Sequence, residues 1–260
     1  MGILIKTQQE IARMREGGRM LAMIVGELQE MVSPGVGTGQ LEEHFNKRLQ
    51  ELGAATAFRG YRNAPGVPPF PSSICTCINA EIVHAPAVPS RMLKEGDLLS
   101  IDAGLLFPKE GGFYVDMAIT VPVGTVEPRL LKLIEVARGS CEQTIAELTR
   151  HSTVRDISRA VQRIVESNGF SVVRDFVGHG IGRKLHEDPQ IPNYVDRRFP
   201  DYPLADGMCL AIEPMIAIGS GTAEVLEDGW TAVTIDRSIS AHWEYTVVVT
   251  KDRLEILTQC

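Results

Sequence analysis

The stretch LLSIDAGLLF, residues 98–107, places one acidic residue in the middle of an apolar run. The same pattern recurs in FYVDMAIT (113–120), MCLAIEPMIAI (208–218) and SAHWEYTVVVT (240–250). A single such acid would usually lie on the solvent side of an alternating strand. Asp and Glu are poor strand formers and are rarely buried without a partner, and here apolar residues flank each acid on both sides. The four acids that we expect to point into the protein are Asp102, Asp116, Glu213 and Glu244.

The order of predicted elements around these strands occurs twice. The four predicted helices span about 7–31, 39–52, 128–149 and 154–168, the first opened by a Thr7–Glu10 capping box. Each helix pair precedes a glycine- or proline-rich loop with histidine and then two acid-bearing strands. Short connections between successive strands favour antiparallel pairing. The pattern predicts an α+β fold in one domain, 1–260, with related halves at about 1–125 and 126–260.

Composition excludes several classes of protein. The chain has 26 basic and 33 acidic residues, a net charge of −7, and only scattered Lys/Arg pairs, so nucleic acid is not an expected partner. It contains no run of about 18 apolar residues, so no membrane span is predicted. Its five cysteines are dispersed and odd in number, which is typical of free thiols in the cytoplasm and not of a secreted disulfide framework.

Four buried carboxylates at one site would repel one another unless cations compensate their charge. Four negative charges match two divalent ions. His179, between glycines in VGHGIG, is a candidate nitrogen ligand, and His84 and His186 lie in the predicted loops. Any one of these histidines alone would more often be structural, and the glycine spacing is not that of a nucleotide loop. Oxygen ligands with an imidazole suit Mn, Fe, Co or Zn.

The order of candidate ligands resembles that of the methionine aminopeptidases, whose metal ligands correspond here to Asp102, Asp116, His179, Glu213 and Glu244. The resemblance runs from about Ile5 to Leu257. Prolidase, aminopeptidase P and creatinase share the ligand pattern, but Trp230 and the HEDPQ segment resemble methionine aminopeptidases in particular. The short interval between His179 and Glu213 is similar to that of the short bacterial-type form of type I.

The resemblance implies a pita-bread fold, in which two pseudo-symmetric lobes surround an antiparallel β-sheet core with helices outside. It implies that a monomer removes N-terminal methionine from nascent proteins and peptides whose second residue is small, with the ribosome as an implied place of action. It also implies two divalent ions (Co, Mn, Fe or Zn). Asp102 corresponds to a ligand of the second metal, Asp116 and Glu244 to bridging ligands, and His179 and Glu213 to ligands of the tighter site.

The remaining roles follow from the same resemblance. Glu213 corresponds to a proton shuttle, and His84 and His186 to groups that contact the substrate. The residues expected to line the methionine pocket are Phe70, Cys75, Leu185 and Trp230. Leu185 stands where a Phe is common, and the longer segment 59–71 leaves the place of Tyr61 open.

Three alternatives remain at this point. An X-Pro aminopeptidase or prolidase-like peptidase would share the fold and the metal ligands. A non-catalytic peptide-binding relative should have lost ligands, whereas all five are present. A purely structural metal protein would not need the histidine-bearing loops.

Overall fold

The computed structural model describes residues 2–62 and 66–259. Its helices are α1 (Gln8–Met31), α2 (Thr38–Leu52), α3 (Pro128–Glu147) and α4 (Val154–Ser167). At the start of α1 the Thr7 hydroxyl accepts a hydrogen bond from the Glu10 N–H, and the Glu10 carboxylate accepts one from the Thr7 N–H. The predicted capping box is therefore confirmed. The helices occur where the sequence predicts them, although α3 ends slightly earlier.

The described residues also form fifteen strands. They are β1 (Ala55–Thr56), β2 (Ile74–Ile78), β3 (Glu81–Val83), β4 (Leu98–Phe107), β5 (Phe113–Pro122), β6 (Ser171–Val172), β7 (Val177–Gly180), β8 (Glu187–Pro192), β9 (Cys209–Ile212), β10 (Met215–Ala217), β11 (Ala223–Val225), β12 (Ala232–Thr234), β13 (Ser240–His242), β14 (Glu244–Val249) and β15 (Leu254–Ile256).

Nine strands form one antiparallel sheet in the order β1-β4-β5-β14-β9-β7-β8, with β2 also paired to β4 and β15 to β14. Two smaller sheets have the orders β13-β10-β6 and β11-β12-β3. The predicted α+β class with an antiparallel core is confirmed. The division into related halves stays a prediction.

Both predicted histidine-bearing loops are wrong in part, because each contains strands. The first, segment 69–87, contains β2 and β3. The histidine-bearing segment 176–190 contains β7, which lies between β8 and β9 in the main sheet. A Cβ on Gly178 would lie 2.5 Å from the carbonyl oxygen of Ala211, and one on Gly180 would lie 2.2 Å from that of Asp188. Glycines are therefore needed here because neighbouring backbone approaches closely, not because the chain turns.

The helices cover one face of the sheet and leave the other for the site. α1 packs on β4 and β5, and its Gly17 lies against the side chains of Leu105 and Val115. Side chains alternate between the faces of a strand, so Asp102 and Asp116 point away from α1. α3 and α4 pack on each other, and α3 also contacts β13. No helix in the described part of the chain is long and apolar enough to cross a membrane.

Candidate metal centre and substrate pocket

Strand register brings three of the predicted acids together. Asp102 of β4 and Glu244 of β14 both lie directly opposite Ala118 of β5. Directly opposed residues share a face, and so do residues two apart on one strand, which adds Asp116 to the same group. Ala118 is fully buried and too small to separate the acids. Three carboxylates therefore converge around one alanine.

The remaining two candidate ligands arrive in a similar way. His179 of β7 lies opposite Ala211 of β9, and Glu213 follows two residues after that alanine. Because β9 also pairs with β14, Glu213 lies beside Glu244. The distance from His179 Nε2 to Glu213 Oε1 is 3.5 Å. The site that these residues form, which we call the floor, consists of Asp102, Asp116, His179, Glu213 and Glu244.

Ligand atoms of the floor are close enough to share an ion. Three possible ligand atoms lie within 4.8 Å of one another, one each from Asp116, His179 and Glu244. The Nδ1–H of His179 is assigned as donor to the Gly180 carbonyl at 2.9 Å, which leaves the lone pair on Nε2. A second hydrogen bond that fixes the ring in this way is typical of histidines that bind metals.

The floor is electrostatically incomplete without cations. Burial raises the pKa of Asp102 to about 7 and, together with neighbouring carboxylates, raises the pKa values of Asp116, Glu213 and Glu244 well above their usual range. One buried oxygen each of Asp102, Asp116 and Glu244 has no hydrogen-bond partner among the described residues. Leaving such an atom unsatisfied costs roughly 1–3 kcal/mol. An oxygen-rich set with one imidazole fits divalent ions of the Mn, Fe, Co and Zn type.

Above the floor is a cavity of about 380 Å³, and all eleven residues predicted for the site line it. Cys75 of β2 lies directly opposite Asp102, and its buried side chain lines the cavity. The residues at the other side of the cavity, which we call the rim, are Tyr61, Phe70, His84, Leu185, His186 and Trp230.

The apolar part of the rim is held by aromatic contacts. The rings of Phe70 and Trp230 meet edge to face at 5.2 Å between centroids. The indole N–H of Trp230 donates to the carbonyl of Pro68 at 2.9 Å, which ties the ring to the proline-rich segment. Leu185 is buried beside the cavity. These residues form an apolar slot with a hydrogen-bonded wall.

Two neutral imidazoles belong to the rim. His84 has a φ of 61°, a left-handed backbone that is uncommon outside glycine, and its ring lies against Phe176. Burial lowers the pKa of His84 to about 4. The ring of His186 is 4.4 Å from that of His179, and desolvation lowers its pKa to about 4 as well. Such backbone strain and such neutral histidines are frequent at functional sites.

Sequence reasoning missed several residues of the site. His242 is buried in β13 with its Nε2 at 3.7 Å from Glu213 Oε2, and neither ring nitrogen has a hydrogen-bond partner among the described residues. The signal for it was its position two residues before Glu244 in SAHWEYTVVVT. Phe176, which packs on His84, had no comparable signal. Tyr61, whose place the sequence left open, lines the cavity.

This constellation, a buried group of candidate metal ligands below an apolar slot, is that of a metal-dependent peptidase. The model of metallopeptidase family M24 matches residues 12–251, and the chain belongs to this family. It is 41% identical over 259 residues to methionine aminopeptidase 1 of Bacillus subtilis, with 99% of each chain covered.

Comparison with solved structures supports the same family. The structure of methionine aminopeptidase from Thermotoga maritima has a TM-score of 0.92 and 39% identity, with 100% of both chains covered. The prolidase from Pyrococcus horikoshii has a TM-score of 0.76 and 18% identity over 98% of this chain and 63% of its own, which is a likeness of fold alone. The resemblance, the pita-bread fold and the hydrolase class predicted from the sequence are confirmed.

Proposed function

We propose that this chain removes the N-terminal methionine from peptides and nascent proteins whose second residue is small. The observation that carries the proposal is the floor itself, in which five predicted ligands meet with three unpartnered oxygens below an apolar slot. Similarity to methionine aminopeptidases at 41% and 39% identity, against 18% for a prolidase, favours this activity over cleavage next to proline.

The floor residues would hold two divalent ions of the Co, Mn, Fe or Zn class. We propose that Asp102 serves one ion, that Asp116 and Glu244 serve both, and that His179 and Glu213 complete the other site. When bound, such ions lower the pKa of a water molecule and polarise the carbonyl of the scissile bond. The Glu213 carboxylate would accept a proton and pass it to the departing amine.

The rim, together with Cys75, would bind and orient the substrate. Phe70, Cys75, Leu185 and Trp230 form the slot for the methionine side chain, whose thioether packs well against aromatic rings. The neutral imidazoles of His84 and His186 can each donate one N–H to the substrate. His84 and the floor crowd the position of the second residue, which is why that residue should be small.

Hydrolysis of Met-Ala peptides should therefore require metal and exceed hydrolysis of X-Pro peptides. We would load the protein with Mn or Co, verify the metal content, and compare both substrates with matched protein stripped of metal. Preferred cleavage of X-Pro peptides would establish the prolidase-like alternative. Binding of Met-Ala without hydrolysis of either substrate, in metal-loaded protein, would establish a non-catalytic relative.

The setting of the activity is also a proposal. We expect one catalytic domain that acts as a monomer in the cytoplasm on N-termini emerging from the ribosome. Sedimentation analysis tests the oligomeric state, and co-sedimentation with translating ribosomes tests the association.

A further inference from the structure

One hydrogen bond joins two segments of the rim that are far apart in the chain. The hydroxyl of Tyr61 lies 2.7 Å from Nδ1 of His186, across a sequence separation of 125 residues. The two rings also contact each other edge to face, with 5.1 Å between centroids. Both side chains line the cavity.

Tyr61 is held in place by the backbone around it. Its N–H donates to the carbonyl of Phe58, and its own carbonyl accepts from the Phe70 N–H, each at 2.9 Å. The N–H of Gly60 donates to the carbonyl of Phe70 at 2.9 Å. Arg59 forms an ion pair with the buried carboxylate of Glu42 on α2. The hydroxyl of Tyr61 is thus fixed by a structured segment.

The turn that carries His186 is fixed independently. One carboxylate oxygen of Glu187 accepts hydrogen bonds from the N–H groups of Arg183 and Lys184, at 2.7 and 3.0 Å. Its other oxygen forms an ion pair of 2.5 Å with Lys6, and both of these side chains are buried. The contact between Tyr61 and His186 therefore links two preformed parts of the rim.

The direction of this hydrogen bond decides what His186 can do. A neutral imidazole carries its proton on one nitrogen and accepts with the other. A phenol O–H is a stronger donor than an imidazole N–H, and partial burial of Tyr61 raises its pKa, so the hydroxyl keeps its proton. Nε2 of His186 makes no hydrogen bond to any residue within 2–62 and 66–259.

We propose that Tyr61 is a positioning residue for His186: its O–H donates to Nδ1 and so keeps the imidazole proton on Nε2, where it is available to the carbonyl oxygen of the scissile bond. This inference rests on the proposed aminopeptidase activity. It assigns to Tyr61 a task distinct from that of the apolar slot, because the hydroxyl acts on the proton of His186 and the ring acts as a wall.

The tautomer is directly measurable. Protein labelled with ¹⁵N in the histidine rings and loaded with Zn, which is diamagnetic, would be compared with the Tyr61→Phe variant by NMR. His186→Ala identifies the signals of His186 by their absence. We expect an unprotonated Nδ1 and a protonated Nε2 in the unaltered protein, and a shift of proton population towards Nδ1 in Tyr61→Phe. A proton on Nδ1 of the unaltered protein, or a tautomer unaffected by Tyr61→Phe, overturns the proposal.

Kinetics give a second readout. Losing a donor to a developing oxyanion costs about 10²–10³-fold in kcat, and Tyr61→Phe should cost about 10-fold because the correct tautomer is still partly populated. KM for Met-Ala peptides should change little, since the phenyl ring stays. In a His186→Ala background the same change should have almost no effect. Tyr194→Phe removes a hydrogen-bonded hydroxyl outside the cavity and serves as the matched control.

The possible failures are distinguishable. Equal losses from Tyr61→Phe with and without His186, or a change confined to KM and to the Met/Leu preference, would make Tyr61 a wall residue only and overturn the proposal. An unaltered, metal-loaded protein that does not cleave Met-Ala peptides would instead contradict the proposed function, whereas the NMR comparison would still report the direction of the hydrogen bond.

Discussion

The floor and the rim of the cavity are built by different means. Floor residues lie on or directly after strands of one sheet, so their mutual positions follow from strand register. Rim residues lie in connecting segments between strands, which are joined by contacts such as the hydrogen bond from the Trp230 indole to the Pro68 carbonyl. A sheet position moves little without disturbing its neighbours, whereas a loop tolerates changes in length and sequence. We therefore expect the sheet positions to hold the metal ions and the connecting segments to bind and orient the substrate.

The two regions also differ in how complete they are. The floor has buried oxygens without partners and carboxyl groups whose pKa values are raised by burial and mutual repulsion. The rim consists of Leu185, aromatic rings and neutral imidazoles, and these rings already have contacts of their own. We expect the floor to depend on ions from solution and the rim to keep its arrangement without them.

The largest expected effect is loss of the ions. Exhaustive chelation should abolish hydrolysis of Met-Ala peptides, and Mn, Co or Fe should restore it, because the nucleophile and the polarising charge both depend on metal. Glu213→Ala and His179→Ala should behave like stripped protein, since each removes a ligand from the proposed tighter site. The metal content of each sample should be measured together with its activity. Activity in protein verified to be free of metal would refute the two-ion proposal.

Substitutions in the rim histidines should separate binding of metal from catalysis. His84→Ala and His186→Ala should retain near-normal metal content while hydrolysis falls by about 10²–10⁴-fold, the range for a positioned acid–base or oxyanion group. Metal content and kcat/KM measured on the same samples test this. Substantial loss of metal in either variant would indicate that this histidine is itself a metal ligand.

The Lys6–Glu187 pair tests how the rim is supported. Its side chains are 1% and 2% exposed, so Lys6→Met leaves an uncompensated buried carboxylate. Breaking a buried pair in this way costs about 3–5 kcal/mol in the free energy of unfolding. The metal content of the folded variant should be unchanged, because Lys6 forms no hydrogen bond with a floor residue in the described part of the chain.

Two further variants control that measurement. Adding Glu187→Gln should recover part of the loss, because the amide oxygen can still accept from the backbone of the turn. Lys132→Met, which breaks the Lys132–Glu135 pair with both side chains more than half exposed, should cost less than about 1 kcal/mol, as surface pairs usually do. Urea unfolding of all variants gives the comparison, and equal losses in the buried and exposed pairs would contradict it.

The smallest expected effect concerns selectivity within the slot. Leu185→Phe should sharpen the preference for methionine over leucine or isoleucine at the first position, because a flat ring narrows the slot more than a branched side chain. A difference of about one methylene in fit corresponds to roughly 1–3 kcal/mol, so the change should be a modest ratio. kcat/KM for peptides beginning with Met, Leu and Ile measures it. An unchanged Met/Leu ratio would show that Leu185 does not contact the first side chain.

Prediction from sequence succeeded where a local pattern carries a physical demand. Acids in apolar strands demand compensation of charge, and this reasoning together with the family resemblance selected five residues that the structure brings together at one cavity. It failed at glycines, because glycine occurs both in loops and in strands that lie close to a neighbouring backbone. The glycines beside His179 have the composition of a loop, yet they are required in β7 by the close approach of neighbouring strands.

The sequence alone determined the helix pairs, the acid-bearing strands and the need for positive charge among them, because each depends on residues close together in the chain. Tertiary structure alone decided that Asp102 and Glu244 meet opposite Ala118, and that the Tyr61 hydroxyl reaches His186. The physical reason is that strand register and loop closure are set by packing of the whole molecule. A local pattern indicates that a side chain needs a partner for its charge or hydrogen bond. It does not indicate which distant residue will be that partner.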